Sequence, residues 1–290
     1  GAVTLTTTGG DATLVNDAPT TTLGPVNVVG NLSVNAHNNL TLSSDITTSG
    51  ATLLNFGSTS ASIFNASLGI ALAASSITVN GGAHNNTFNL YSLFTGTVNG
   101  NIGTYNILRG PDAASSNQND WLASSTGGGT LTQSGTNSPS SSTITFTNMG
   151  TLAGGSGNDV FTIGASGIVD AINGNGGANT LVGRDAANTW TLNGGITGSL
   201  GVTGATTYVT TFSDLQSLSG GTGTDIFILP ASGSYTGAVN GNGGGDEGRR
   251  HRESRGPADD FQPGRPARPR NGPGAPGPLP RNGNRGEPRS

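Results

Sequence analysis

Two short stretches carry residue types that can do chemistry: Gly-Gly-Ser-Gly-Asn-Asp-Val-Phe from Gly154 to Phe161, and Gly-Gly-Thr-Gly-Thr-Asp-Ile-Phe from Gly220 to Phe227. Each sets one aspartate, Asp159 or Asp225, just behind a glycine cluster. Calcium takes about six to eight oxygen ligands, and an aspartate supplies a charged one. Glycine adopts positive φ without strain, so its backbone can approach an ion closely. The oxygens on offer belong to Asp159 with Gly155 and Gly157, to Asp225 with Gly221 and Gly223, and to Asn179 in the next glycine cluster. A pocket of Asp159 and Asn179 has one formal charge, which predicts weak Ca2+ binding at the millimolar end of the range. The competing expectation is a tight corner in which Asp159 and Asp225 bond to turn amides. Phe161 and Phe227 then point into a core, and Asn and Asp at equivalent corners stack into ladders.

Catalysis is not expected. Residues 1–245 contain only two basic side chains, Arg109 and Arg184, beside Asp112 and Asp185. Each pair reads as a solvated ion pair on a turn rather than as the base of a lyase. The aspartates are single and scattered, without the paired carboxyls of glycoside hydrolysis. His37 and His84 lie in Asn-rich stretches without a partner motif, and His251 lies near the C-terminus. Trp121 and Trp190 follow Asn119-Asp120 and Asn188-Thr189 and are expected to pack or cap rather than to stack on sugar.

The elements that must position these residues come from internal repeats. GGSGNDVFTIGASGIVDAIN (154–173) is echoed by GGTGTDIFILPASGSYTGAVN (220–240) and by GGAHNNTFNLYSLFTGTVN (81–99), where Asn86 replaces the aspartate. The large repeat is 66 residues between Gly154 and Gly220 and 73 between Gly81 and Gly154. Within it lie units of 20, 20 and 26 residues, starting at Gly154, Gly174 and Gly194. Thr, Val and Ile suit a pleated surface, and Gly and Asn suit turns. Units of this size with short β-runs predict an all-β, right-handed parallel β-solenoid. Its coils stack roughly 4.8 Å apart, so about twelve coils make a rod of roughly 60 Å. The expected division is N-terminal coils over 1–80, repeat coils over 81–245 and a tail over 246–290.

GNLSVNAHNNLTLSSDITTSGA, residues 30–51, alternates apolar and small polar residues, as at Leu32/Val34 and Leu40/Leu42. This stretch resembles the β-helical shafts of filamentous-haemagglutinin-like adhesins and other large bacterial surface proteins. The resemblance implies a secreted or surface-exposed adhesin segment without catalysis. Its partners would be a host or cell-surface receptor, glycan included, and the flanking coils of a parent protein. GGSGNDVFT and GGTGTDIFI are also similar to the G-G-x-G-x-D-x-U-x calcium repeat of RTX-type proteins, matching every fixed position. That family stacks its nonapeptides in tandem, whereas the two here are isolated and Asn179 and Asn86 stand where aspartate belongs. The alternative this similarity implies is a calcium-dependent folding or secretion module. A fragment of a carbohydrate-active β-helix is a third reading.

The C-terminal stretch breaks the pattern. Where the repeat calls for the counterpart of Leu181-Val182-Gly183, the chain gives Gly248-Arg249-Arg250. Residues 246–290 hold ten arginines, six acids and nine prolines, too little apolar surface to fold. A frameshift product and a natural linker both account for this switch. The rest of the chain is acidic, with ten aspartates, no lysine and no basic patch, which argues against nucleic-acid binding. No apolar run is long enough to span a membrane as a helix. Beginning at Gly1 without methionine or leader, the chain reads as a fragment or a processed product.

Overall fold

The computed structural model describes residues 1–102, 105–112, 117–135, 142–231 and 234–250. These residues form a parallel β-solenoid of 27 short strands, with no helix among them. The expected tail lies outside the described residues from 251 onward. The last strand, Glu247–Arg250, still belongs to the solenoid, five residues beyond the expected boundary.

Two sheets enclose the core, one of 12 strands and one of 15. Period-two alternation aims one set of side chains inward, and equivalent inward residues stack along the rod. In the 12-stranded sheet the column runs Leu14, Val34, Leu54, Val79, Val98 and Phe146 in register. In the other it runs Leu40, Phe64, Phe88, Leu108, Leu152, Ile172 and Phe212. All of these except the terminal Leu14 are buried. Burying a side chain of this size contributes about 1.5–3 kcal/mol. The column therefore holds together coils that have few charges to pair.

The N-terminal coils have a short third side. Strand Thr20–Val28 bends at Gly24-Pro25; its first half pairs with Asn39–Leu42 and its second with Ile46–Thr48. Leu72–Ala73 is the last strand on that side. The following coil joins Leu90 to Gly96 through five residues, too few for a further strand.

The repeat analysis does not anticipate two antiparallel insertions. Asn117–Ser125, Gly128–Gly135 and Thr143–Thr147 form a meander in the 12-stranded sheet. Thr189–Gly194, Thr197–Gly201 and Thr207–Ser213 form its counterpart in the 15-stranded sheet. They account for the 73- and 26-residue spacings, which a plain coil cannot fill. Trp121 of the first meander stacks on Phe161 at 5.5 Å, and Trp190 of the second stacks on Phe227 at 5.5 Å. Both tryptophans are buried, as expected of packing residues.

Candidate functional site at the glycine corners

The corners are built from glycine and from residues that tolerate positive φ. Asn101, Asn148, Asn175, Asp214 and Asn242 all sit at φ between 57° and 64°, the left-handed region where Asn and Asp are least penalised. Three of them reach back one coil: Asn101, Asn175 and Asn242 donate through Nδ2 to the carbonyls of Gly81, Gly154 and Gly220. These glycines open the three repeats, so the repeated Gly and the repeated Asn are two halves of one contact. The second glycine is set by close approach. A Cβ on Gly155 would stand 1.8 Å from the Pro111 carbonyl oxygen, and one on Gly221 1.8 Å from that of Arg184.

The corner folds around a buried carboxylate. Asp159 is 0% exposed. Its Oδ1 accepts from Asn119 Nδ2 at 2.7 Å and Trp121 Nε1 at 3.4 Å, and its Oδ2 accepts from the Gly155 N–H at 3.1 Å. Asp225 is equally buried; its Oδ1 accepts from the N–H and the Nδ2 of Asn188, at 3.0 and 2.6 Å. Its Oδ2 accepts from the Gly221 N–H at 3.0 Å. Burial pushes the Asp159 carboxyl up to about 6, against the opposing pull of Asn119, Trp121, Gly155 and Arg109. Burial also raises Asp225, with Asn188 and Gly221 opposing and the Asp246 charge reinforcing the rise.

Asn179 lies next to Asp159, as its spacing implies, but its Oδ1 accepts the Asp159 N–H at 2.9 Å. Its Nδ2 donates to the carbonyls of Gly176 and Asp214. Gly157 and Gly223 pack against neighbouring coils: a Cβ on Gly177 would meet the Gly157 carbonyl oxygen at 2.2 Å, and one on Gly223 would meet the Ala186 carbonyl carbon at 2.4 Å. The residues proposed as calcium ligands thus meet at the corners, with the carboxylate oxygens facing N–H donors. Among the described residues no three His, Cys, Asp or Glu side chains converge.

The bond between Asn179 and Asp159 is one step of a ladder, in which a corner side chain accepts the N–H of its counterpart one coil earlier. Ser62, Asn86 and Asn106 form one run. Asp159, Asn179 and Gln216 form a second, and Asn188, Asp225 and Asp246 a third. On the outside, Asn35, Asn55 and Asn80 bond amide to amide along the rod. Sequence reasoning expected ladders but missed the donors Asn119 and Asn188. The shared Asn-x-Trp of 119–121 and 188–190 is the signal that identifies them.

The two isolated arginines do different things. Arg109 pairs with Asp112 at 2.6 Å and lies over the Tyr91 ring. Arg184 donates to the Gly167 carbonyl and lies 3.4 Å from the Tyr208 ring centre, with no ion pair to Asp185 among the described residues. His37 is half-buried against Thr59 and His84 is exposed. No family model matches this chain, and neither does any curated protein or solved structure.

Proposed function

We propose that the chain is a length of structural shaft from a secreted or surface-exposed bacterial adhesin, with no catalytic role. Its work is to hold flanking regions at a distance from the surface that carries them. The observation that carries this reading is the continuity of the stack. Both sheets run rung upon rung through two insertions, and corner side chains bond coil to coil within three runs. A solenoid built this way transmits load between nearest neighbours and shields its backbone from proteases. The acidic groups that attract attention in the sequence serve the corners.

The purified chain should bind neither host cells nor glycan surfaces saturably, while cells displaying a parent protein lengthened by a second copy of residues 154–219 should keep their adhesion. Saturable binding by the purified chain, lost on substituting residues of one exposed face, would replace the shaft reading with an adhesive one.

A further inference from the structure

Asparagine followed by glycine is a dipeptide prone to lose its side-chain amide without any catalyst. With no Cβ to hinder it, the glycine nitrogen can swing onto the asparagine Cγ. The described residues contain seven such pairs, opening with Asn80, Asn99, Asn173, Asn175, Asn193, Asn240 and Asn242. Six of these asparagines are held. Asn80, Asn175 and Asn242 donate through Nδ2 to Asn55, Gly154 and Gly220. Asn99, Asn173 and Asn240 accept at Oδ1 from the N–H groups of Asn101, Asn175 and Asn242. In four pairs the attacking nitrogen is engaged as well. The N–H groups of Gly81, Gly100, Gly174 and Gly176 donate to the carbonyls of Asn99, Thr147, Ser213 and Gly155.

Asn193-Gly194 is placed differently, at the hairpin tip of the second meander. Leu192 pairs with Gly198 and Gly194 with Thr197, so Asn193 is the extra residue of a bulge, with no partner across the strand. It is exposed, and no protein group among the described residues bonds its amide. Gly194 and Gly195 follow at φ of 99° and 60°, so the backbone here has already left the extended path. The first meander has the same bulge, with Ser124 as the extra residue between Ala123 and Ser125, and so has no amide to lose there. We propose that Asn193 is a site of spontaneous covalent modification, at which the chain reacts with itself and then with water. The Gly194 nitrogen bonds to Asn193 Cγ, the Cγ–Nδ2 bond breaks, and the amide leaves as ammonia. Water opens the resulting cyclic imide at either carbonyl. The products are aspartate or isoaspartate; in the second, the main chain runs through the former side chain and gains an atom. Either product adds a negative charge. The same hairpin tip clasps the next coil: the Gly195 N–H donates to the Ser234 carbonyl at 3.0 Å, and the Thr236 N–H donates to the Gly195 carbonyl at 2.8 Å. Isoaspartate just before Gly194 loosens that clasp.

The test is to age the full chain at neutral to mildly alkaline pH in heavy-oxygen water and to map the label by mass spectrometry. Asn193 should take up label before the other six. The four pairs held at both the side chain and the glycine N–H should lag by at least about tenfold, since two hydrogen bonds must open first. In denaturant all seven should convert at similar rates, which separates the effect of the fold from that of the dipeptide. Asn193→Ser installs the residue of the first meander; it should abolish labelling there and leave Tm unchanged. In the aged chain, hydrogen exchange should quicken at Thr236 and stay as it was at Ile168, where the first hairpin meets its own next coil. Conversion of Asn193 no faster than that of Asn80 or Asn175 in the folded chain would overturn the proposal. Unchanged exchange at Thr236 after conversion would overturn the loosened clasp.

Discussion

Asp159 is an acid held where acids are costly, and this gives the protein a response to pH. Its carboxyl titrates near 6 in the folded chain and near its ordinary value of 3.8 when unfolded. Between those values the folded state binds the proton more tightly, so the contribution of this group to stability is greatest below about pH 4. It falls as pH rises to 6 and is flat above. A shift of this size corresponds to about 2–3 kcal/mol. Asp225, raised in the same direction, adds to the effect. Melts should therefore move up on acidification from pH 7 to pH 4.5, and Asp159→Asn should flatten much of that slope. A chain that loses stability over this range would mean that the N–H donors outweigh burial. The same carboxylate separates corner from calcium site. Asp159→Ala strands the Asn119 amide and the Gly155 N–H, which costs about 1–3 kcal/mol for each unsatisfied group. The loss should be the same in millimolar calcium and in excess chelator. A calcium-dependent rise in Tm that vanishes in Asp159→Ala and Asp225→Ala would restore the ligand reading.

Among the elements, the coils were legible in the sequence and the meanders were not, for a physical reason. A coil announces itself through period-two alternation and through glycines at fixed spacing, as at Gly81, Gly154 and Gly220. An antiparallel excursion has the same alternation, since Trp121-Leu122-Ala123 looks locally like any other strand. Which neighbour a strand chooses is not encoded in its own period. The corner was half legible: Gly and Asp mark the turn, but the donors to Asp159 come from 38 and 40 residues away. The meanders also depend on each other. The first puts the 12-stranded sheet two rungs ahead, and the second restores step by adding two rungs to its partner. Setting aside the three strands Val3–Thr6, Ile46–Thr48 and Leu72–Ala73, both sheets finish with twelve rungs. Removing residues 117–142, or removing 188–206, leaves the sheets out of step at the C-terminal end. Removing both restores a plain coil. Each single deletion should therefore lower Tm more than the double deletion does, and simple additivity in the three melts would refute this coupling.

At the scale of the whole molecule, a rod of stacked coils has no single core whose loss unfolds everything. Its stability is a sum over rungs and the interfaces between them, so its ends matter more than those of a globular domain. Among the described residues, the C-terminal rung is the loosely filled one. Parallel pairing sets Gly248 beneath Phe227, which in turn lies beneath Trp190. A cavity of about 230 Å³ opens there, lined by Phe227, Leu229, Val239 and Gly248 among others. Val239 in the last rung of the other sheet is 43% exposed. The counterpart of Gly248 one repeat earlier is Leu181, which is fully buried. The fold thus has a place for leucine at 248, and Gly248 is not among the positive-φ residues that would resist a side chain. Gly248→Leu should stabilise the last rung by about 1–3 kcal/mol through the apolar surface it covers. Because rungs couple mainly to their neighbours, the gain should be local. Hydrogen exchange should slow at Ile226–Leu229 and Ala238–Asn240 and stay unchanged in the coils before Gly100. Uniform slowing along the whole rod would mean that the solenoid opens as one cooperative unit, and the nearest-neighbour picture of the shaft would have to be given up.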